Sequence, residues 1–244
     1  MPGSGRFSRR VLLPELMDDP SCGPDEFRRC LVDLATVNRL TQATRPTLAF
    51  LRRAVRRLPA GETLRILDVG GGYGDALREI DRWAARRGIA LDMTSVDLSP
   101  WARIAGEAEP ATRQPIRWVT ADIFDYRPEQ PPHVVLSSLF THHLDDAGVV
   151  RFLAWMDGHA TLGWFVSDLQ RHWLPYHGFR LWSRAAGWHR FVQHDGPVSF
   201  GRAFTRADWR RLLAEAGLPD QAARVAWWMP FRLCVTRWKG AAAS

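Results

Sequence analysis

Leu64-Arg65-Ile66-Leu67-Asp68-Val69-Gly70-Gly71-Gly72-Tyr73-Gly74 is a short β-rich run that ends in an acid and opens into a glycine cluster. Pro59-Ala60-Gly61 breaks the pattern ahead of it, and Ala76 to Arg87, closed by Gly88, has helical character after it. Glycines at 70, 72 and 74 permit a tight strand-to-helix turn. They also let the main chain approach a ligand closely, near the positive end of the following helix. The spacing is G-x-G-x-G, whereas dinucleotide folds carry G-x-G-x-x-G. An acid at position 68 would repel a pyrophosphate, but it suits a ligand with an ammonium group and no phosphates.

Outward from this stretch the chain alternates between strand and helix. Further strands are expected at Leu91 to Val96, Ile116 to Thr120, His133 to Ser138 and Gly163 to Ser167. Helices are expected between them at Pro100 to Ala108 and Ala147 to Met156. That alternation implies a parallel sheet. Ahead of it, a basic start reads as mobile, and Asp25 to Leu40 and Thr47 to Leu58 carry helical spacing. Near the end, Thr205 precedes an amphipathic run from Asp208 to Ala216, which Gly217 stops. Arg224 to Trp228 and Phe231 to Trp238 are placed to form an antiparallel hairpin.

Two more acids stand where a nucleoside needs them. Asp97 ends the second strand, where a carboxylate can accept hydrogen bonds from both ribose hydroxyls. Asp122 follows the third strand in Thr120-Ala121-Asp122-Ile123, within reach of an adenine amino group. With these motifs, Leu64 to Leu169 resembles the class I S-adenosylmethionine (SAM) dependent methyltransferases. LDVGGGYGD looks like the first motif of that family, VDLSP like its ribose-acid motif and TADIFD like its adenine motif. AFTRADWRRLLAEAGL is similar to the late helix of small-molecule methyltransferases related to the ubiquinone and menaquinone enzymes.

The resemblance implies that Asp68, Gly70, Gly71, Gly72 and Gly74 hold the methionine portion, with Ser138 also on the cofactor side. It gives Asp97 and Leu98 to the ribose, and Asp122 with Ile123 to the adenine. It further implies an α/β, Rossmann-like, seven-stranded sheet in the order 3-2-1-4-5-7-6, with the last strand antiparallel. Residues 1–60 would form a helical cap and 61–244 the SAM-binding domain.

Composition narrows the function. A length of 244 residues with 46% hydrophobic content supports one α/β domain with decorations. No run reaches the length of a membrane span, and the start lacks the features of a signal peptide, so a cytoplasmic location is expected. The net charge of +7 would permit a polyanion, but the cations are scattered arginines, with Lys239 the only lysine. Nucleic acid is therefore not the expected partner. Cys22, Cys30 and Cys234 form no C-x-x-C pair and suggest neither a disulfide framework nor a zinc site. Nine of the twelve tryptophans lie from Trp155 onward, a pattern open to two readings, an aromatic substrate pocket or a tryptophan-rich core.

The methyl acceptor is read from Ser137-Ser138-Leu139-Phe140-Thr141-His142-His143-Leu144, at the edge facing the transferred methyl. This segment lacks the D/N-P-P-Y/F sequence of amino-group methyltransferases, and no cysteine near a strand end serves a covalent mechanism. Where the metal-dependent catechol enzymes carry an acid and then an Asp-Asn pair, this chain has Ser138 and Asp168-Leu169, so no metal is expected. What remains is proton removal from a phenol by a neutral imidazole, His143 or His142 after the fourth strand or His172 after the fifth. Asp168 either orients a ring or caps its strand, and capping is the preferred role.

Residues 171–202 hold Trp173, Tyr176, Phe179, Trp182, Trp188 and Phe191, and end near a turn signal at His194-Asp195-Gly196. This insert reads as a substrate lid or as a helical elaboration on the core. The expected activity is O-methylation of a small, largely apolar hydroxylated molecule, phenolic or polyketide-like, of the kind made in secondary metabolism. The alternatives are C-methylation of a quinol or activated ring, methylation of RNA, and cofactor binding without catalysis.

Overall fold

The computed structural model describes residues 7–19, 22–218 and 221–240; of the expected cap, positions 1–6, 20 and 21 lie outside them. Seven strands form one sheet: β1 (Leu64–Val69), β2 (Leu91–Asp97), β3 (Ile116–Thr120), β4 (Val134–Ser138), β5 (Gly163–Leu169), β6 (Ala223–Trp228) and β7 (Arg232–Trp238). Their order is β3-β2-β1-β4-β5-β7-β6. β1 to β5 are mutually parallel, and β7 runs antiparallel to both of its neighbours. This is the Rossmann-like methyltransferase architecture.

Side chains alternate across the strands, so each face buries its own core. On one face Leu67, Val69, Val135, Val166 and Val235 pack on Phe152, Leu153 and Met156 of α5 (Asp146–His159) and on Trp209 and Leu212 of α8 (Arg206–Glu215). Each fully buried Leu or Phe contributes roughly 1.5–3 kcal/mol by leaving water. Helix α8 begins with a reciprocal cap: Thr205 accepts the Asp208 N–H while the Asp208 carboxylate accepts the Thr205 N–H. On the opposite face Ile66, Met93, Leu136 and Phe165 meet Phe50 and Leu51 of α2 (Arg45–Val55) and Leu77 and Ile80 of α3 (Asp75–Ala85). The second of the two early helices is thus a covering helix of the sheet. The first, α1 (Pro24–Leu40), packs with α4 (Pro100–Glu107).

Two sequence expectations give way. Residues 171–202 form a helical pair, α6 (Trp173–Ala185) and α7 (Arg190–Arg202), and the turn expected at His194-Asp195-Gly196 lies inside α7. Packing overrides the local turn signal: Gly196 leaves room for the Phe179 ring, and the Asp195 carboxylate accepts the backbone N–H groups of Leu16 and Met17 at 2.8 and 3.0 Å. The start expected to be mobile is, over residues 7–19, a strap pinned to the body. Arg10 pairs with Asp146 at 2.6 Å and donates to the Leu144 carbonyl, and Arg202 donates to the Leu13 carbonyl at 2.6 Å. All three cysteines are free and buried. Among the described residues, no helix is long and apolar enough to cross a membrane.

Candidate functional site

Between β1 and β4 the chain crosses from one face of the sheet to the other, which leaves a crevice at the carboxyl ends of the strands. A cavity of about 870 Å³ occupies that crevice, with walls from the sheet edge, α1, α6, α7 and the strap. Gly70 and Gly72 line it with φ of 69° and 52°, a left-handed backbone that a side chain would strain. A Cβ at Gly71 would collide with the side chains of Ser95 and Asp68. Asp68 lies beneath this loop, 3% exposed, and burial, with the fields of Asp75 and Asp97, pushes its pKa up to about 8.

Asp97 ends β2 half-buried in the wall. One of its oxygens accepts the Gly72 N–H at 3.0 Å and the other the Ser99 N–H at 2.9 Å, so the acid holds the glycine loop in place. Burial nonetheless raises its pKa. Leu98 and Ser138 also line the cavity. Gly74, Asp122, Ile123 and His172 do not. Gly74 starts α3, and its bare Cα admits the Trp118 indole. Asp122 is exposed and turns back to accept the Phe124 N–H at 2.9 Å, while Ile123 is buried in the core. His172 caps α6 by accepting the Leu174 N–H at 3.2 Å, and its ring stacks on Phe231.

A 3₁₀ turn at Thr141–His143 presents the two histidines that follow β4. His142 is buried, and its Nδ1 meets the Asp168 carboxylate at 2.7 Å. The other Asp168 oxygen accepts the Thr141 hydroxyl and the His142 N–H. Asp168 therefore orients a ring, and it also accepts the Leu169 N–H at 2.7 Å at the strand end, so it fills both of the roles expected as alternatives. Burial would raise its pKa, but the field and hydrogen bonds of His142, with help from Thr141, hold it at about 2.

His143 faces the cavity, with Nδ1 3.0 Å from Asp18 and Nε2 3.7 Å from Glu15. Burial pulls its pKa down, but the Asp18 hydrogen bond and the fields of Glu15 and Asp18 prevail and raise it to about 9. The ring thus carries a proton at neutral pH, contrary to the neutral imidazole expected. Glu15, His142 and His143 bring ligand atoms within 4.8 Å of one another, the grouping among the described residues that could hold a metal ion. It is already satisfied by charge: the buried Glu15 accepts the Ser199 hydroxyl at 2.9 Å and has Arg202 3.8 Å away.

Sequence reading missed Glu15 and Asp18. They sit in an aperiodic stretch, and only the fold brings them to the histidines. The tryptophans divide between the two readings: Trp101 and Trp182 line the cavity, Trp164 and Trp209 are fully buried in the core, and Trp227 and Trp228 are exposed.

This sheet, with a glycine loop and a strand-end acid meeting at its switch point, has the architecture of a class I SAM-dependent methyltransferase. The profile of the methyltransferase-domain family matches residues 41–222, and the chain belongs to that family. Among curated proteins, none matches the sequence. Solved structures share the fold at low identity. The plantazolicin methyltransferase BpumL in complex with S-adenosylhomocysteine (SAH) is 13% identical, with a TM-score of 0.63 over 91% of this chain and 92% of that one. The magnesium protoporphyrin IX methyltransferase of Synechocystis, with bound SAH, is 17% identical, with a TM-score of 0.55 over 90% and 95%. The structure of LepI with SAM is 14% identical, with a TM-score of 0.54 over 78% and 46%.

Proposed function

We propose that the enzyme transfers a methyl group from SAM to the hydroxyl of a small, largely apolar aromatic molecule, with His143 as the general base and without a metal. The observation that carries this reading is a single cavity lined by His143, Ser138 and the glycine loop. Gly70 to Gly72 and Asp68 take the methionine end of SAM, Ser138 closes it, and Asp97 with Leu98 takes the ribose. Asp122 and Ile123 follow Thr120, the β-partner of Asp97, and stand toward the adenine end. His172 has no part in this reading, because its ring is committed to capping α6.

The cavity suits a cofactor and one small acceptor, since ligand pockets commonly measure roughly 300–1,000 Å³. Phe27, Trp101, Phe140, Phe179, Trp182 and Phe200 give it an aromatic lining. The working form is the deprotonated ring, whose fraction grows as pH rises toward 9: with its one remaining proton on Nδ1 held by Asp18, Nε2 takes the proton of the hydroxyl. As it does so, the oxygen forms its bond to the methyl carbon and the carbon–sulfur bond breaks, releasing SAH.

Incubation with labelled SAM and a panel of small phenols, in the presence of EDTA, tests the reading. One added methyl group on oxygen is expected. Methylation confined to carbon or to RNA, or activity abolished by the chelator, would count against it.

Asp68 gives a second expectation. In the free enzyme its pKa is about 8, and the ammonium group of the cofactor favours the ionised form, so binding expels a proton below that pH. SAH affinity should therefore fall about tenfold for each pH unit below 8, and Asp68→Asn should flatten that slope. Calorimetry over pH 6 to about 8 measures it; a slope shared by wild type and Asp68→Asn would remove Asp68 from the role.

A further inference from the structure

Arg232 opens β7 at the cavity rim, paired in register with Leu169 at the end of β5. It lines the cavity and is 4% exposed. Among the described residues no carboxylate lies within ion-pair distance of it. Its Nη2 meets the Asn38 side-chain oxygen at 3.4 Å, and its Nη1 has no hydrogen-bond partner. Asp75 and Asp168 act on it only through space.

A guanidinium shut away from water is costly unless it is paired, and a free donor on it costs more still. Asn38 beside it, and Thr41 and Thr44 elsewhere in the lining, add uncharged polar groups to the same cavity. The geometry of the guanidinium fork matches a carboxylate. A phosphate fits less well, because Glu15, Asp18, Asp19, Asp68, Asp75, Asp97 and Asp195 also line the cavity, and Arg232 is the only arginine there among the described residues. One negative charge can be matched by that cation, whereas a dianion would leave a charge unmatched among seven acids.

We propose that Arg232 receives the carboxylate of a molecule bound in this cavity. The inference rests on the proposed cofactor and acceptor site, and two molecules can supply the group. One is the amino-acid end of the cofactor, its ammonium facing Asp68; the other is an acceptor that carries a carboxylate.

Calorimetry with wild type, Arg232→Met and Arg232→Lys separates the two sources. The first arm compares SAH with 5′-methylthioadenosine, which keeps the adenosine and the thioether but lacks the amino-acid end. The second arm compares 4-hydroxybenzoate with 4-methylphenol on the SAH-saturated enzyme. If the cofactor supplies the carboxylate, Arg232→Met weakens SAH roughly 10- to 100-fold, Arg232→Lys weakens it less, and methylthioadenosine is unaffected. If the acceptor supplies it, SAH is unchanged, and only the wild type prefers 4-hydroxybenzoate over 4-methylphenol.

Unchanged SAH affinity in Arg232→Met, with no carboxylate-dependent preference in the wild type, overturns the inference and leaves the cofactor site standing. Equal loss of SAH and methylthioadenosine in both variants assigns Arg232 to the fold and overturns it too. A wild type that binds neither nucleoside removes the cofactor reading and the inference together.

Discussion

His143→Ala is expected to bind SAM normally and to turn over on the order of 10²- to 10⁴-fold more slowly, the usual contribution of a well-placed base. The partners of the ring add a pH signature. His143 faces Asp18 and Glu15 of the strap, His142 beside it, Arg202 of α7 and, at longer range, Asp97. Their sum leaves it with a pKa of about 9. Only the deprotonated ring can accept a proton, so kcat/KM of the wild type should rise about tenfold per pH unit from 7 and level off near 9. In His143→Ala that limb disappears, and part of the lost rate returns only as the phenol itself ionises, at about pH 10. A variant as fast as the wild type, with the same profile, would mean that the enzyme works by holding its reactants in line.

Asp97→Ala should weaken SAH binding by about 1.5–3 kcal/mol, or roughly 10- to 150-fold, measured by calorimetry. The structure gives two reasons where the sequence offered one. Beyond its proposed contact with the ribose, the carboxylate holds the Gly72 and Ser99 N–H groups, so the substitution also releases the glycine loop. Asp97→Asn separates the two roles. Its remaining side-chain oxygen can keep one of the backbone bonds, and its affinity should fall between those of wild type and alanine. An alanine variant with wild-type affinity would reduce Asp97 to a strand-end acid.

The strands and the order of the sheet were legible because alternation and the glycine loop are local signals, and Asp68 and Asp97 are fixed by their places at strand ends. Asp122 had the same kind of place, but its exposed carboxylate folds back on its own turn, which strand position does not reveal. Asp168 looked like a cap alone because its partner His142 is 26 residues away in the chain. His194-Asp195-Gly196 carried a turn composition that the packing of Phe179 and the strap override. Glu15 and Asp18 had no periodicity at all, since an irregular segment is ordered here by side-chain bonds to distant carbonyls.

The strap has a consequence for modularity. His143 belongs to the sheet edge, but the acid that holds its Nδ1 lies 125 residues earlier, on chain that precedes the first helix. The basicity of the His143 imidazole is therefore a property of two segments far apart in the sequence. A graft that carried residues 61–244 onto a foreign N-terminus would transplant the glycine loop, Asp97 and both histidines intact. It would leave behind Glu15 and Asp18, and with them the electrostatic setting in which His143 binds its proton.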